Sequence, residues 1–163
     1  MQFQAQAFRG TSTTRPNGSP MRRREDVALG ELIDRYEARG GFATSDEVAG
    51  RMRSYWRQPI SILARWIVSR KLVSFDWRGQ IMLPLFQFEQ PRMSPQQGIV
   101  EVINELAELM EDQDIAEWFV RPNDALDLAM PVDVVLRDPD AVLDAARCTR
   151  RALSTHRLHA LVS

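Results

Sequence analysis

Residue types that carry chemistry are sparse in this chain. It has two histidines, His156 and His159, three residues apart, and one cysteine, Cys148. A bound metal needs three or four converging ligands. Arg157 separates the histidines and Arg150-Arg151 precede them, so neither a carboxylate nor a thiol completes a set. Arginines 147, 150 and 151 would favour a thiolate at Cys148, but a small cysteine inside a helix reads first as a packing residue. Glu108, Glu111 and Asp112 have the spacing of a solvated helix face. Gly40-Gly41 lacks the spacing and the lysine of a phosphate loop. No nucleophile–histidine–acid set can be drawn. The expectation is a non-enzyme, with no catalytic residues, metal or cofactor.

Binding chemistry is better represented. Arg57, Gln58, Ser61 and Arg65 recur at three- and four-residue intervals. They fall on the polar face of a helix starting at Pro59, and such side chains pair with base edges and phosphates. Arg78 lies at a turn, and Arg51 and Arg53 on the preceding helix. The formal net charge is −1, so no global basic field gathers nucleic acid, and any DNA contact depends on this local patch. The plainer reading is a set of solvated surface arginines.

Helical periodicity positions this patch. Val27, Leu29, Leu32, Ile33 and Tyr36 give a first helix over 25–39, ended by Gly40-Gly41. Thr44 with Glu47 forms a capping-box signature for a second helix, to about Tyr55. Pro59 opens a third, to about Lys71, with Ile60, Leu63, Ala64, Ile67 and Val68 as its inner stripe. Period-two alternation around Arg78-Gly79-Gln80 then predicts a hairpin, with Pro84 marking an edge strand. Three helices and a hairpin form a winged-helix-like layout over 22–88, whose second and third helices make a helix-turn-helix. Residues 1–21 are rich in Thr, Ser and Pro and read as a disordered arm, with Phe3 and Phe8 as its apolar exceptions. Arg22-Arg23-Arg24 reads as a solvated helix entry.

The linker 86–95 places Phe86 and Phe88 on one side if extended. Beyond it lies a helical bundle, 95–163. Ile99, Ile103, Leu106 and Met110 mark a helix over 95–111, and a fifth helix follows over 114–120, with Asp112 or Asp114 as its cap. It ends at Trp118-Phe119-Val120-Arg121, because Pro122 disfavours helix at the residue before it. Asn123 suits the turn. Pro131 starts a short helix to about Leu136. Asp138-Pro139 starts a last one to about Ser154. Val142, Ala145, Ala146, Thr149 and Leu153 give that helix a narrow small-residue face, suited to close helix approach, including approach by a second subunit. Trp118, Phe119 and Leu126 then form a pivot, read as core or as a protein interface. The fold class expected is mainly α.

Apolar residues make up 44 % and charged residues 26 %, values of an ordinary globular chain. One cysteine fits a reducing compartment. No apolar run approaches the ~20 residues that span a bilayer, and 1–21 lacks the apolar core of a signal peptide. A cytoplasmic protein without a membrane partner is expected.

The segments Ala116-Glu117-Trp118-Phe119, Pro122-Asn123, Leu126, Pro131-Val132-Asp133 and Pro139-Asp140-Ala141-Val142-Leu143-Asp144-Ala145-Ala146-Arg147 resemble the toxin-binding domain of Xre/MbcA/ParS antitoxins. That domain usually carries a Trp-Leu pair, Pro-Asn, a leucine, glycine, and Pro-Leu-Asp or Pro-Val-Asp. The likeness covers roughly 99–151. Phe75-Asp76-Trp77-Arg78-Gly79 and Leu83-Pro84-Leu85-Phe86-Gln87-Phe88 resemble the upstream part of some proteins with this domain. Where the family has glycine before Pro-Val-Asp, this chain has Leu128-Ala129-Met130.

The resemblance implies an antitoxin of a type II toxin–antitoxin pair. Its C-terminal domain would dimerise and clasp a RES-type toxin, an enzyme that consumes or uses NAD, through the surface at Trp118, Phe119, Pro122 and Asn123. Its tail, 150–163, would cover the toxin's NAD cleft, with Arg151, His156 and Arg157 facing toxin carboxylates. Its N-terminal domain would bind the operon's promoter DNA and repress it. Two readings of other classes stand beside it. One is a winged-helix transcriptional regulator whose C-terminal half dimerises. The other is an interaction protein that does not bind DNA.

Overall fold

The computed structural model describes residues 20–162, with side chains described from 27 to 157. The expectations for the arm, for Arg22-Arg23-Arg24 and for His159 lie outside the described side chains. The chain is mainly helical with a small antiparallel sheet. Helix α1 (Pro20–Tyr36) tightens into a 3-10 turn, Glu37–Arg39, and stops at Gly40, whose φ of 95° is left-handed. Next come β1 (Phe42–Thr44), α2 (Ser45–Met52), α3 (Pro59–Val68), β2 (Phe75–Trp77) and β3 (Gln80–Pro84). A short pair, β4 (Phe88–Glu89) and β5 (Ser94–Pro95), leads to α4 (Gln97–Leu106), α5 (Asp112–Phe119), α6 (Pro131–Val134) and α7 (Pro139–Val162). Among the described residues no helix is long and apolar enough to cross a membrane.

Local chemistry sets several of these boundaries. Thr44 Oγ1 accepts from the Glu47 N–H while Glu47 accepts from the Thr44 N–H, a complete capping box. Proline occupies the first turn of α3 and of α6. Asp138 Oδ1 accepts from the Ala141 N–H at 3.0 Å and starts α7. Helix α5 starts without a side-chain cap, and Asp112 does other work described below.

The sheet order is β1-β3-β2. Strand β3 is therefore central, which corrects the edge position inferred from Pro84. That proline is the last residue of β3, paired with Phe42, and at a strand end the missing donor interrupts no continuing ladder. Alternation sends Phe42, Phe75 and Trp77 to one face and Ala43, Ile81 and Leu83 to the other.

Each face lies against its own core. The first core joins Leu29, Leu32 and Tyr36 of α1 to Ile99, Ile103, Leu106, Ile115, Phe119, Val132, Val142 and Ala146 of α4–α7, with Phe42, Phe75 and Trp77 packed on it. Helix α1 thus packs with the C-terminal helices, and its buried residues are absent from the core of α2 and α3. Val27, expected inside, is exposed. The second core gathers Ala43, Val48, Ala49, Met52, Leu63, Leu72, Leu83 and Phe88, with Trp56 and Trp66 crossing edge to face at 5.4 Å. Phe86 packs on the first core and Phe88 belongs to the second. The 3-10 turn Leu85–Gln87 breaks the extended geometry that would have put both rings on one side.

Two polar clamps tie distant segments together, and the second of them joins the halves. The buried Gln87 side chain accepts from the Val73 N–H at 2.9 Å and donates to the Val73 carbonyl at 3.0 Å. Arg70, at φ 51°, donates to the Ala107 and Met110 carbonyls and to Asp112 Oδ1, and Asp112 Oδ2 accepts from the Ser74 N–H. The turn after α4 is thereby satisfied from the other half of the chain.

Candidate partner-binding groove

Helix α5 delivers Trp118 and Phe119 to the junction with α6 and α7. Phe119 is fully buried, in contact with Trp118 and Phe86 at ring separations of 5.2 and 4.9 Å. The row continues through Tyr36, Phe42 and Phe75. Tyr36 donates its hydroxyl to the Ala116 carbonyl at 2.7 Å, and burial raises its pKa. Phe119 therefore offers no surface to a partner. Trp118 is 9 % exposed, and its Nε1–H donates to Thr149 Oγ1 at 3.0 Å, which in turn donates to the Ala145 carbonyl. The indole is locked, with one edge left at the surface.

That edge opens into a groove of about 410 Å3 between the α5–α6 loop and the middle of α7. Trp118, Arg121, Pro122 and Asn123 form one wall, and Ala145, Cys148, Thr149 and Ala152 the other. Small residues on α7 keep the groove open. Arg121 pairs with Glu117 one turn back, and Asp124 is exposed at the loop. The loop is organised by Asn123: its side chain accepts from the Ala125 N–H, and its carbonyl accepts from the Leu126 and Leu128 N–H groups. Asp127 and Leu128 both take left-handed backbone, at φ 53° and 65°. Of these, Leu128 falls in the Leu128-Ala129-Met130 segment that stands where the resemblance has a glycine.

Helix α7 extends past the expected end at Ser154 to Val162. Its small-residue face, read as open to a second subunit, is used within the chain: Val142, Ala145 and Ala146 are buried with α4 and α5. At the head of the contact a Cβ on Gly98 would stand 2.7 Å from Pro139 Cβ, so only glycine permits this approach. Further along, Arg150 pairs with Glu105 and Glu108, and Arg157 donates to the Leu109 carbonyl. Arg151 and His156 are exposed beside them. Asp133 of the Pro-Val-Asp segment is exposed and makes a two-point pair with Arg39, in the turn after α1, at 2.7 and 2.8 Å. Hydrogen bonding from Arg39 holds its carboxyl below the usual aspartate range.

In the other half Arg57, Gln58, Ser61, Arg65 and Arg78 are all exposed. Arg78 lies over the Trp77 ring at 4.6 Å. Trp66 of α3 turns inward against Trp56.

Sequence reasoning missed Thr149 as the partner of Trp118, and it missed Arg70 and Gln87 as joints. Helical spacing could have found Thr149, which stands one turn beyond Ala145 on the predicted inner face of α7. No protein-family model, curated protein or solved structure matches the chain.

Proposed function

We propose that the chain is an antitoxin-like protein that binds a partner protein, a RES-type toxin, through the groove beside Trp118 and blocks it sterically. The observation that carries this reading is the coincidence of the groove with the motif segment: Trp118, Pro122 and Asn123 line it. The left-handed Leu128, in the segment where the resemblance has a glycine, supports the same reading, since that conformation is one glycine adopts freely. Trp118 and Arg121 are of the types that anchor interfaces. The exposed Arg151 and His156 on the outer turns of α7 are where the helix would reach over the toxin's cleft.

The test is co-expression with a RES-type toxin encoded beside the gene, scored by co-purification and by growth. Ala152 is exposed in the groove wall, so Ala152→Arg fills the groove while leaving the core intact. It should weaken the complex by roughly 30-fold or more, as losing an interface anchor does. A truncation after Arg150 keeps the pairs to Glu105 and Glu108 and should still abolish neutralisation. Full protection by both variants would reject the reading.

A second reading is DNA binding by a winged-helix unit. The order α1-β1-α2-α3-β2-β3 with β3 central and the shared exposure of Arg57, Gln58, Ser61, Arg65 and Arg78 favour it. The packing of α1 with the other core weighs against it. Mobility shift with upstream DNA tests it: Arg57→Ala with Arg65→Ala should flatten the log–log salt slope by about 2 if both contact phosphates.

A further inference from the structure

Helix α3 exposes more than Arg65. Ile60 is 66 % and Val68 84 % exposed, and Ala64 between them is exposed as well. Sequence periodicity assigned all three to the inner stripe; of that stripe only Leu63 and Ile67 turn inward, packing with the second core. The open stripe forms one side of a cavity of about 260 Å3, floored by Leu63 and Ile67 and closed by Ala49 and by Ile81, itself 42 % exposed. Burying this much aliphatic surface would be favourable.

Charge is distributed unequally around the cavity. Asp46 of α2 lines it, and Asp76, directly across from Ile81 in the β2–β3 register, stands on the same sheet face. On the other side, about 100° of helix turn per residue places Ser61 and Arg65 just beyond the stripe of Ile60, Ala64 and Val68, and Arg57 is exposed in the segment that leads into α3. Among the described residues Arg57, Arg65 and Asp46 form no ion pair. The face is thus an apolar strip with an acidic lip and a basic lip.

We propose that a second copy of this chain docks here, α3 against α3, with the two-fold axis running along the helices. That axis lays the basic lip of one copy over the acidic lip of the other, whereas an axis across the helices would set like charges together. Small Ala64 at the centre lets the two helices approach closely, with Ile60 and Val68 packing on either side of it. The acidic lip also disfavours a phosphate backbone over this face. The proposal is independent of the groove beside Trp118.

Sedimentation velocity of the full chain across a concentration series tests it, with circular dichroism confirming the fold of each variant. A reversible dimer is expected. Ile60→Glu and Val68→Glu should each weaken it by roughly 30-fold or more; both sites are exposed, so the fold should survive. A chain with Asp46→Arg and Asp76→Arg, and a second with Arg57→Asp and Arg65→Asp, should each be monomeric alone and pair when mixed. A wild-type chain that stays monomeric would overturn the proposal. So would a dimer indifferent to both glutamates, or a monomer whose DNA shift disappears with Arg57→Ala and Arg65→Ala.

Discussion

The sheet β1-β3-β2 separates two cores built in different ways. The core of α1 and α4–α7 is closed. Aromatic rings run through it from Trp118 to Phe75, and its helices are tied together by Tyr36 on Ala116, Trp118 on Thr149 and Arg39 on Asp133. The core of α2 and α3 is open along one side, where Ile60, Val68 and Ile81 remain in water. A closed core tolerates a groove cut into its surface, because the residues lining the groove are held from behind. An open core has apolar surface that folding alone has not covered. The first suits a preformed binding site and the second a contact that completes the fold.

Truncations on the two sides of the sheet sharpen this contrast most. Phe119→Ala removes a fully buried ring from the closed core and should destabilise the chain by about 3–5 kcal/mol. Ile60→Ala on the open side should change monomer stability by no more than about 0.5 kcal/mol. Urea denaturation of both variants checks the pair, and equal losses would erase the distinction between the cores.

The buried Gln87–Val73 clamp holds the segment before β2 against the segment after β3. Gln87→Ala leaves the buried Val73 N–H and C=O without their partner. At about 1–3 kcal/mol per unsatisfied group, reduced where water enters, a loss of about 3 kcal/mol is expected. The thermal midpoint should fall accordingly, read by tryptophan fluorescence and far-UV circular dichroism.

Much of this architecture was legible where a residue imposes local geometry. The Thr44–Glu47 box, the prolines at 59, 131 and 139, the glycines at 40 and 79, and the alternation through the hairpin mark their elements directly. What could not be read depends on distant partners. Strand β1 is three residues long and exists because β3 pairs with it. The stripe of α1 is equally compatible with either core. Ile60 and Val68 have the same types and spacing as buried residues, yet both stay exposed. In the groove, Trp118, Pro122 and Asn123 announce themselves by type. The opposing wall of Ala145, Cys148 and Ala152 is defined by smallness, which leaves little signal.

A smaller effect probes the groove loop. Leu128 is 65 % exposed and left-handed at φ 65°, a conformation unfavourable for a residue with a Cβ. Leu128→Gly should therefore stabilise the chain by about 0.5–1 kcal/mol, the relief of strain being partly offset by glycine's freedom in the unfolded chain. A rise in thermal midpoint with partner binding unchanged is the expected result. A fall would mean that the Leu128 side chain packs more usefully than its exposure indicates.

The smallest effect concerns the ion pair that ties the turn after α1 to α6. Arg39 hydrogen-bonds Asp133 at two points and lowers its pKa on folding, while the same bond raises that of Arg39. A carboxyl with a depressed folded pKa contributes stability above its unfolded value, about 3.9, and loses it as pH falls through the folded value. The Asp133 side chain is 47 % exposed, so solvent screening limits the contribution to less than about 1 kcal/mol. Asp133→Asn should therefore be slightly less stable than wild type at neutral pH. The gap should shrink below about pH 4 as the wild-type carboxyl protonates, and high salt should narrow it at neutral pH. A gap that persists in acid would show that Asp133 holds α6 through hydrogen-bond geometry, with its charge contributing nothing measurable.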